Sequence, residues 1–173
     1  SSTLKIARKY AEALSLIKLD KALVTELDSL SECFQSGSEL SKTLNNPRLK
    51  IQERLELVDK VFATKLQNET LLLLKLLIKR RRLAIVEHLG QAYRDAYNKA
   101  KGITEARVSS ATSLSSVELD LIKTQLERIF KQTIEVTSSE DAALIAGQRI
   151  NVAGKVIDSS IKSKLKQLKQ LLK

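Results

Sequence analysis

Hydrophobic positions recur at helical spacing up to Gly102 and then switch to the alternation of strands. Ile6, Tyr10, Ala13, Leu14 and Ile17 share one helical face, and Leu23, Leu27, Leu30 and Phe34 stripe a second helix that Gly37 is expected to end. A short turn of helix carries Leu40 and Leu44. Asn45-Asn46-Pro47 then breaks the chain, because the residue before proline is pushed out of the α region. Ile51, Leu55, Val58 and Phe62 mark the next helix. Asn68 is expected to cap the Leu-rich helix through Leu71 to Ile78. Val86, Leu89 or Gly90, Tyr93 and Tyr97 mark the last, which Lys99, Lys101 and Gly102 should stop, with cations at its carbonyl end. The pattern predicts a six-helix bundle over residues 1–102.

Beyond Gly102 the texture is that of a small α/β domain, residues 103–173, giving an α+β chain overall. Ile103 to Thr112 is rich in Thr, Val and small residues, as strands are. Ser115 and Glu118 have the spacing of a capping box. The helix behind them should bury Leu119 or Ile122, Leu126, and Ile129 or Phe130. Thr133 to Thr137 and Arg149 to Val152 alternate as half-buried strands. Ala153-Gly154 can turn the chain, Val156 and Ile157 resume the sheet, and Asp158, Ser159 or Ser160 can cap a helix with Ile161, Leu165, Leu168 and Leu172 on one face. A domain this small is marginal alone and is expected to lean on a neighbour or a partner.

Composition narrows the chemistry. Cys33 is the single cysteine, so no intramolecular disulfide or multi-cysteine metal site can form. The chain has no Met, so residue 1 is not an untouched initiator. No apolar run approaches the roughly 20 residues of a membrane span, and no signal-peptide core is present, so a soluble or peripheral protein is expected. The net charge is +10; 19 of the 30 cations and 12 of the 20 acidic residues precede Gly102, so both halves carry the excess. That excess suits an acidic protein surface, anionic lipid or nucleic acid.

Several segments carry a resemblance. Ala7-Arg8-Lys9-Tyr10-Ala11-Glu12-Ala13-Leu14 is similar to the "A-R-x-Y-A-x-A-L" opening of the delta subunit family of F-type ATP synthases, called OSCP in mitochondria. Asn46-Pro47 stands where that family breaks before its fourth helix. Leu76 to Leu83 resembles its "L-L-x-E-N-x-R-L", with Lys79-Arg80 in place of "E-N". Ala106 to Ala111 with Leu114-Ser115 resembles its "A-x-V-x-S-A…L-S" join. Gly147, Gly154 and the run Lys155-Val156-Ile157-Asp158-Ser159-Ser160 before a basic helix resemble its C-terminal end, with Ala146 and Ser159 where the family more often has glycine.

The resemblance implies a non-catalytic stator part without catalytic residues, cofactor or metal. Its helical domain would grip N-terminal segments of the α subunits of the catalytic head, with β a further candidate. Its C-terminal domain would hold a b-type peripheral stalk. It implies a place on the inner face of an energy-coupling membrane without entering the bilayer: the cytoplasmic side of a bacterial membrane, the mitochondrial matrix or the chloroplast stroma. No homo-oligomer and no nucleic acid are expected. Tyr10, Ala13 and Leu14 match the motif of the first helix, where a small Ala lets a partner helix approach closely. Leu72, Lys75, Leu76 and Lys79 join them, because the fifth helix has more leucine than one core stripe uses. Gly147, Gly154, Asp158, Ile161 and Leu165 mark the stalk-binding region.

Other chemistry is thinly supported. Lys79-Arg80-Arg81-Arg82 invites the alternative of a basic nucleic-acid-binding adaptor. The run sits at a helix end, where cations complement the dipole, and no aromatic platform or recognition motif accompanies it. His88 has no ligand pattern around it, and Glu87 is expected on another face. Cys33 reads as a small half-buried residue. Gly147 and Gly154 form no phosphate loop. Tyr93 and Tyr97 read as an i,i+4 packing pair.

Overall fold

The computed structural model describes residues 2–144, 147–157 and 167. The chain is α+β, a helical N-terminal part followed by a small C-terminal α/β part. It divides into two compact units, Ser1–Tyr97 and Asn98–Lys173, the division falling inside the last helix of the first part, ahead of Gly102. The first part contains α1 (Ser2–Ile17), α2 (Lys21–Cys33), α3 (Glu39–Leu44), α4 (Ile51–Phe62), α5 (Asn68–Lys79), a single 3-10 turn at Leu83–Ile85, and α6 (Val86–Lys101).

Two helix ends differ from the sequence expectation. α2 stops at Cys33, ahead of Gly37. The Phe34 N–H bonds to the carbonyls of Leu30 and Ser31, and the Ser38 hydroxyl donates to the Cys33 carbonyl at 2.9 Å. Gly37, at φ +87°, then turns the chain into α3, which Ser38 caps. At the start of α5 the N-cap is Gln67, and Asn68 is already helical. The capping group comes from another helix. Glu26 of α2 accepts from the Gln67 N–H at 2.9 Å and from the Thr70 hydroxyl at 2.5 Å. A cap supplied across the fold leaves no local signature.

The core of this unit is built from Leu23, Leu27 and Leu30 of α2, Val58 and Phe62 of α4, Leu74, Leu77 and Ile78 of α5, and Val86, Leu89 and Tyr93 of α6. Phe34 stacks on Phe62 with centroids 6.2 Å apart. α6 is the element that organises the packing. A Cβ placed on Gly90 would meet the Asp28 Cα at 2.9 Å and the Leu27 carbonyl oxygen at 3.0 Å, so α2 crosses here at backbone contact. Ser31 completes the crossing. Its buried hydroxyl donates to the Val86 carbonyl and accepts from the Gly90 N–H, both at 2.8 Å. It thus bridges two backbone groups of the first turn of α6. The Arg94 guanidinium pairs with Asp28 beside it.

One turn further on, Tyr93 is fully buried. Its hydroxyl donates to the Lys18 carbonyl at 2.7 Å and accepts from the Asp20 N–H at 3.2 Å. The short link between α1 and α2 is therefore tied to α6 by one phenol. Tyr97 packs on the Tyr93 ring with centroids 6.5 Å apart, the pairing expected from their i,i+4 spacing.

The second unit holds β1 (Ile103–Ser110), α7 (Ser116–Phe130), β2 (Thr133–Glu140), β3 (Gln148–Val152) and β4 (Lys155–Val156). The sheet order is β2-β1-β3-β4, with β1 parallel to β2 and antiparallel to β3. Alternation puts Ala106, Val108, Ile134, Ile150 and Val152 inward against Ile122 and Leu126 of α7. Ile129 is half-buried and Phe130 exposed. Ser115 and Glu118 form the expected capping box at 3.2 Å each way. The β3–β4 turn has positive φ at both Ala153 (+53°) and Gly154 (+83°), the requirement of a type I′ hairpin. Ile157 lies past β4, buried, with its N–H on the Ile150 carbonyl at 2.9 Å. The helix expected after it, with its caps at Asp158 to Ser160, lies outside the described residues.

Two outcomes test the role of α6. Gly90→Ala gains about 1 kcal/mol of helix propensity but forces α2 off α6, an overpacking cost of about 1–3 kcal/mol, so urea denaturation should show net destabilisation. A variant more stable than the wild type would contradict the crossing. Burial raises the Tyr93 pKa, since desolvation disfavours the phenolate. The neutral phenol therefore contributes stability that is complete below the unfolded value of about 10 and is lost as pH climbs through the raised folded value. Thermal melts should show the wild type losing stability against Tyr93→Phe above that pH, whereas parallel curves would contradict the linkage.

Candidate partner-binding surface

α1 carries two apolar stripes. Ala7 and Ala11, both fully buried, and Leu14, 5% exposed, face the core. Ile6, Tyr10, Ala13 and Ile17 lie one step round the helix, the first two half-buried and the last two exposed. The stripe predicted from sequence is thus mainly the outer one, and Leu14 belongs to the inner one. Ile17 is 75% exposed and Leu16 89%. α5 repeats the arrangement. Thr70, Leu74, Leu77 and Ile78 face inward, while Leu72, 67% exposed, and Leu76, 38% exposed, point out at i,i+4 spacing.

Polar contacts link α1 to the two ends of α5. Lys18, just past α1, donates to Gln67 Oε1 at 2.5 Å and pairs with Glu69 at 3.4 Å, where α5 begins. Arg82, just past α5, donates to the Tyr10 hydroxyl at 3.2 Å. Glu69 has a lowered pKa, chiefly because a backbone N–H in the first turn of α5 bonds it, with Lys18 adding to the effect.

Of the residues singled out from sequence, Ala13, Leu72, Leu76 and Lys79 are exposed, and Tyr10 is half-buried, packed on the core edge. Leu14 is buried: its side chain is spent on the core. Lys75 is half-buried and bound to Asp59 of α4 at 2.6 Å, so its first role is to join α4 to α5. Leu16, Ile17 and Leu19 extend the apolar surface at the end of α1. The available signal was an excess of apolar residues there beyond what the core stripe uses.

The other expectations divide. The basic run does not form a continuous strip, since Arg82 turns to Tyr10 and Arg81 lines a cleft on the α3–α4 side. Cys33 is exposed, not half-buried, because α2 turns it off the Leu27–Leu30 face. Glu87 does not point away from His88; its Oε1 is 3.5 Å from Nε2, and the same carboxylate accepts from Ser36. Among the described residues no group of His, Cys, Asp or Glu could hold a metal ion, and no helix is long and apolar enough to cross a membrane. Gly147 and Gly154 both have positive φ, Gly154 within the β3–β4 turn. Asp158, Ile161 and Leu165 lie outside the described residues.

Comparison with known proteins fits this architecture. The model of the ATP synthase delta (OSCP) subunit family matches residues 6–172. The ATP synthase subunit delta of Desulfatibacillum aliphaticivorans is 31% identical, over 98% of this chain and 96% of its own length. That of Lysinibacillus sphaericus is 30% identical, over 96% of each. A chain in the mitochondrial ATP synthase hexamer of Toxoplasma gondii has the same fold, with a TM-score of 0.63 at 18% identity over 96% of each chain. Helical first unit, small α/β second unit and near full-length matches agree: the chain belongs to the ATP synthase delta (OSCP) subunit family, the non-catalytic delta-type subunits of F-type ATP synthase.

Proposed function

We propose that the chain ties the catalytic head of the synthase to its peripheral stalk, with residues 1–102 acting as a six-helix bundle on the head and residues 103–173 holding a b-type stalk subunit. The observation that carries this reading is the second apolar stripe on α1 and α5. A helix with one apolar stripe is satisfied by its own core; Ala13, Ile17, Leu72 and Leu76 are surplus to it, with half-buried Tyr10 packed at its edge. Small Ala13 between larger neighbours gives a floor on which an amphipathic helix can lie, with Leu and Ile side chains worth about 1.5–3 kcal/mol each once buried. The partner is an N-terminal segment of the head's α subunits. Exposed Lys79 at the end of the surface suits an acidic residue on that segment. The assembly sits on the inner face of an energy-coupling membrane, and this chain reaches the membrane only through its partners.

Calorimetric titration with a synthetic peptide of the first ~20 residues of an α subunit from the same source, about 30 Å of helix, tests the reading. Binding should be saturable and should be lost in Ala13→Asp and weakened at least tenfold in Leu72→Asp, while both variants melt as the wild type does. Binding that survives both changes would place the site elsewhere. Absence of binding by the folded wild type would remove the head-gripping role.

A further inference from the structure

We propose that a second site, a basic cleft between the α3–α4 loop and the end of α5, binds an oligophosphate-type anion. The cleft has a volume of about 370 Å³. Its cationic lining comes from three segments: Arg48 and Lys50 from the loop, Arg54 from the first turn of α4, and Arg81 from the link after α5. No carboxylate lines it. Among the described residues none of these four cations is in an ion pair. The nearest carboxylate in sequence, Glu53, is turned to the Lys50 N–H at 2.7 Å. Arg54 is braced across the loop, its Nη2 on the Asn46 carbonyl at 2.9 Å, and its Nε is buried with no hydrogen-bond partner.

Two of these residues break a local rule, and both line the same cleft. Lys50 occupies the N-cap of α4. An ammonium cannot accept a hydrogen bond from the first turn, and it adds positive charge at the positive end of the helix dipole. Arg81 stands at φ +55°, where the Arg82 N–H bonds to the Leu77 carbonyl at 2.8 Å and the Arg81 N–H to the Ile78 carbonyl at 3.1 Å. This is the helix-ending motif that favours glycine at the left-handed position. Neither choice helps the fold, and their convergence marks a site where charge outweighs local preference. Guanidinium forks suit the geometry of phosphate oxygens, and several of them together suit linked phosphates better than a single one.

The same motif supplies the decisive variant. Arg81→Gly removes a cation while relieving the left-handed strain, so it should melt no lower than the wild type. Pyrophosphate, inorganic phosphate, and vesicles of phosphatidylcholine with or without phosphatidylglycerol are titrated into the full chain at about 0.1 M salt, where unspecific attraction is screened beyond ~10 Å. Pyrophosphate should bind saturably and more tightly than phosphate. Arg81→Gly and Arg48→Gln should each weaken it about tenfold, the loss expected for one charge-assisted hydrogen bond, while Lys60→Gln, on α4 outside the cleft lining, should not. Vesicle binding without pyrophosphate binding would mean that the cleft meets a lipid surface instead of linked phosphates, and would overturn the inference. The inference is overturned if none of the probes binds, or if binding is equally strong in the cleft variants and so reports only net charge.

Discussion

The backbone contact between α2 and α6 at Gly90 is the constraint on which the first unit depends. Only a residue without a Cβ lets the two helices meet at this distance, and Ser31 turns the contact into a polar lock by bridging Val86 and Gly90. With α2 fixed against α6, Glu26 is held where it caps α5, and the link from α1 is held where Tyr93 can bind both Lys18 and Asp20. Polar contacts thereby tie α1 to both ends of α5, Lys18 to Gln67 at its start and the mid-helix Tyr10 to Arg82 past its end. Their outer faces are released from core duty.

A subunit that resists torque needs stiff elements and large contact area more than chemistry. The first unit meets that demand with helices that pack on one stripe and present another. Small residues carry out both tasks in α1: Ala7 and Ala11 allow close approach to the core, and Ala13 allows close approach from outside. The polar locks at Ser31, Glu26 and Tyr93 make the inner packing specific, because an unpaired buried donor or acceptor costs about 1–3 kcal/mol and discourages alternative registers.

Much of this was legible in the chain. Periodicity located the helices and strands, the Ser115–Glu118 spacing located a cap, and motifs from Ala7 to the end carried the family. What escaped were interactions between distant residues. Glu26 caps a helix more than forty positions away, and nothing near Asn68 signals it. Gly90 reads as an ordinary helix position until α2 is placed against it. Leu14 and Ala13 are adjacent in one motif yet point to opposite tasks, because a helix turns by 100° per residue and the sequence stripe was drawn one step off the core. Lys75 joins the candidate head contacts in sequence because its partner, Asp59, belongs to another helix.

Under the proposed function, α1 and α5 each turn one apolar face inward and keep the other for the catalytic head. Hydrogen–deuterium exchange of the chain, alone and within the assembled synthase, tests it most directly. Within the first unit, assembly should slow exchange most in α1 from Tyr10 to Ile17 and in α5 from Leu72 to Lys79. Unchanged exchange in those two segments, with protection concentrated on α3 or α4 instead, would contradict it.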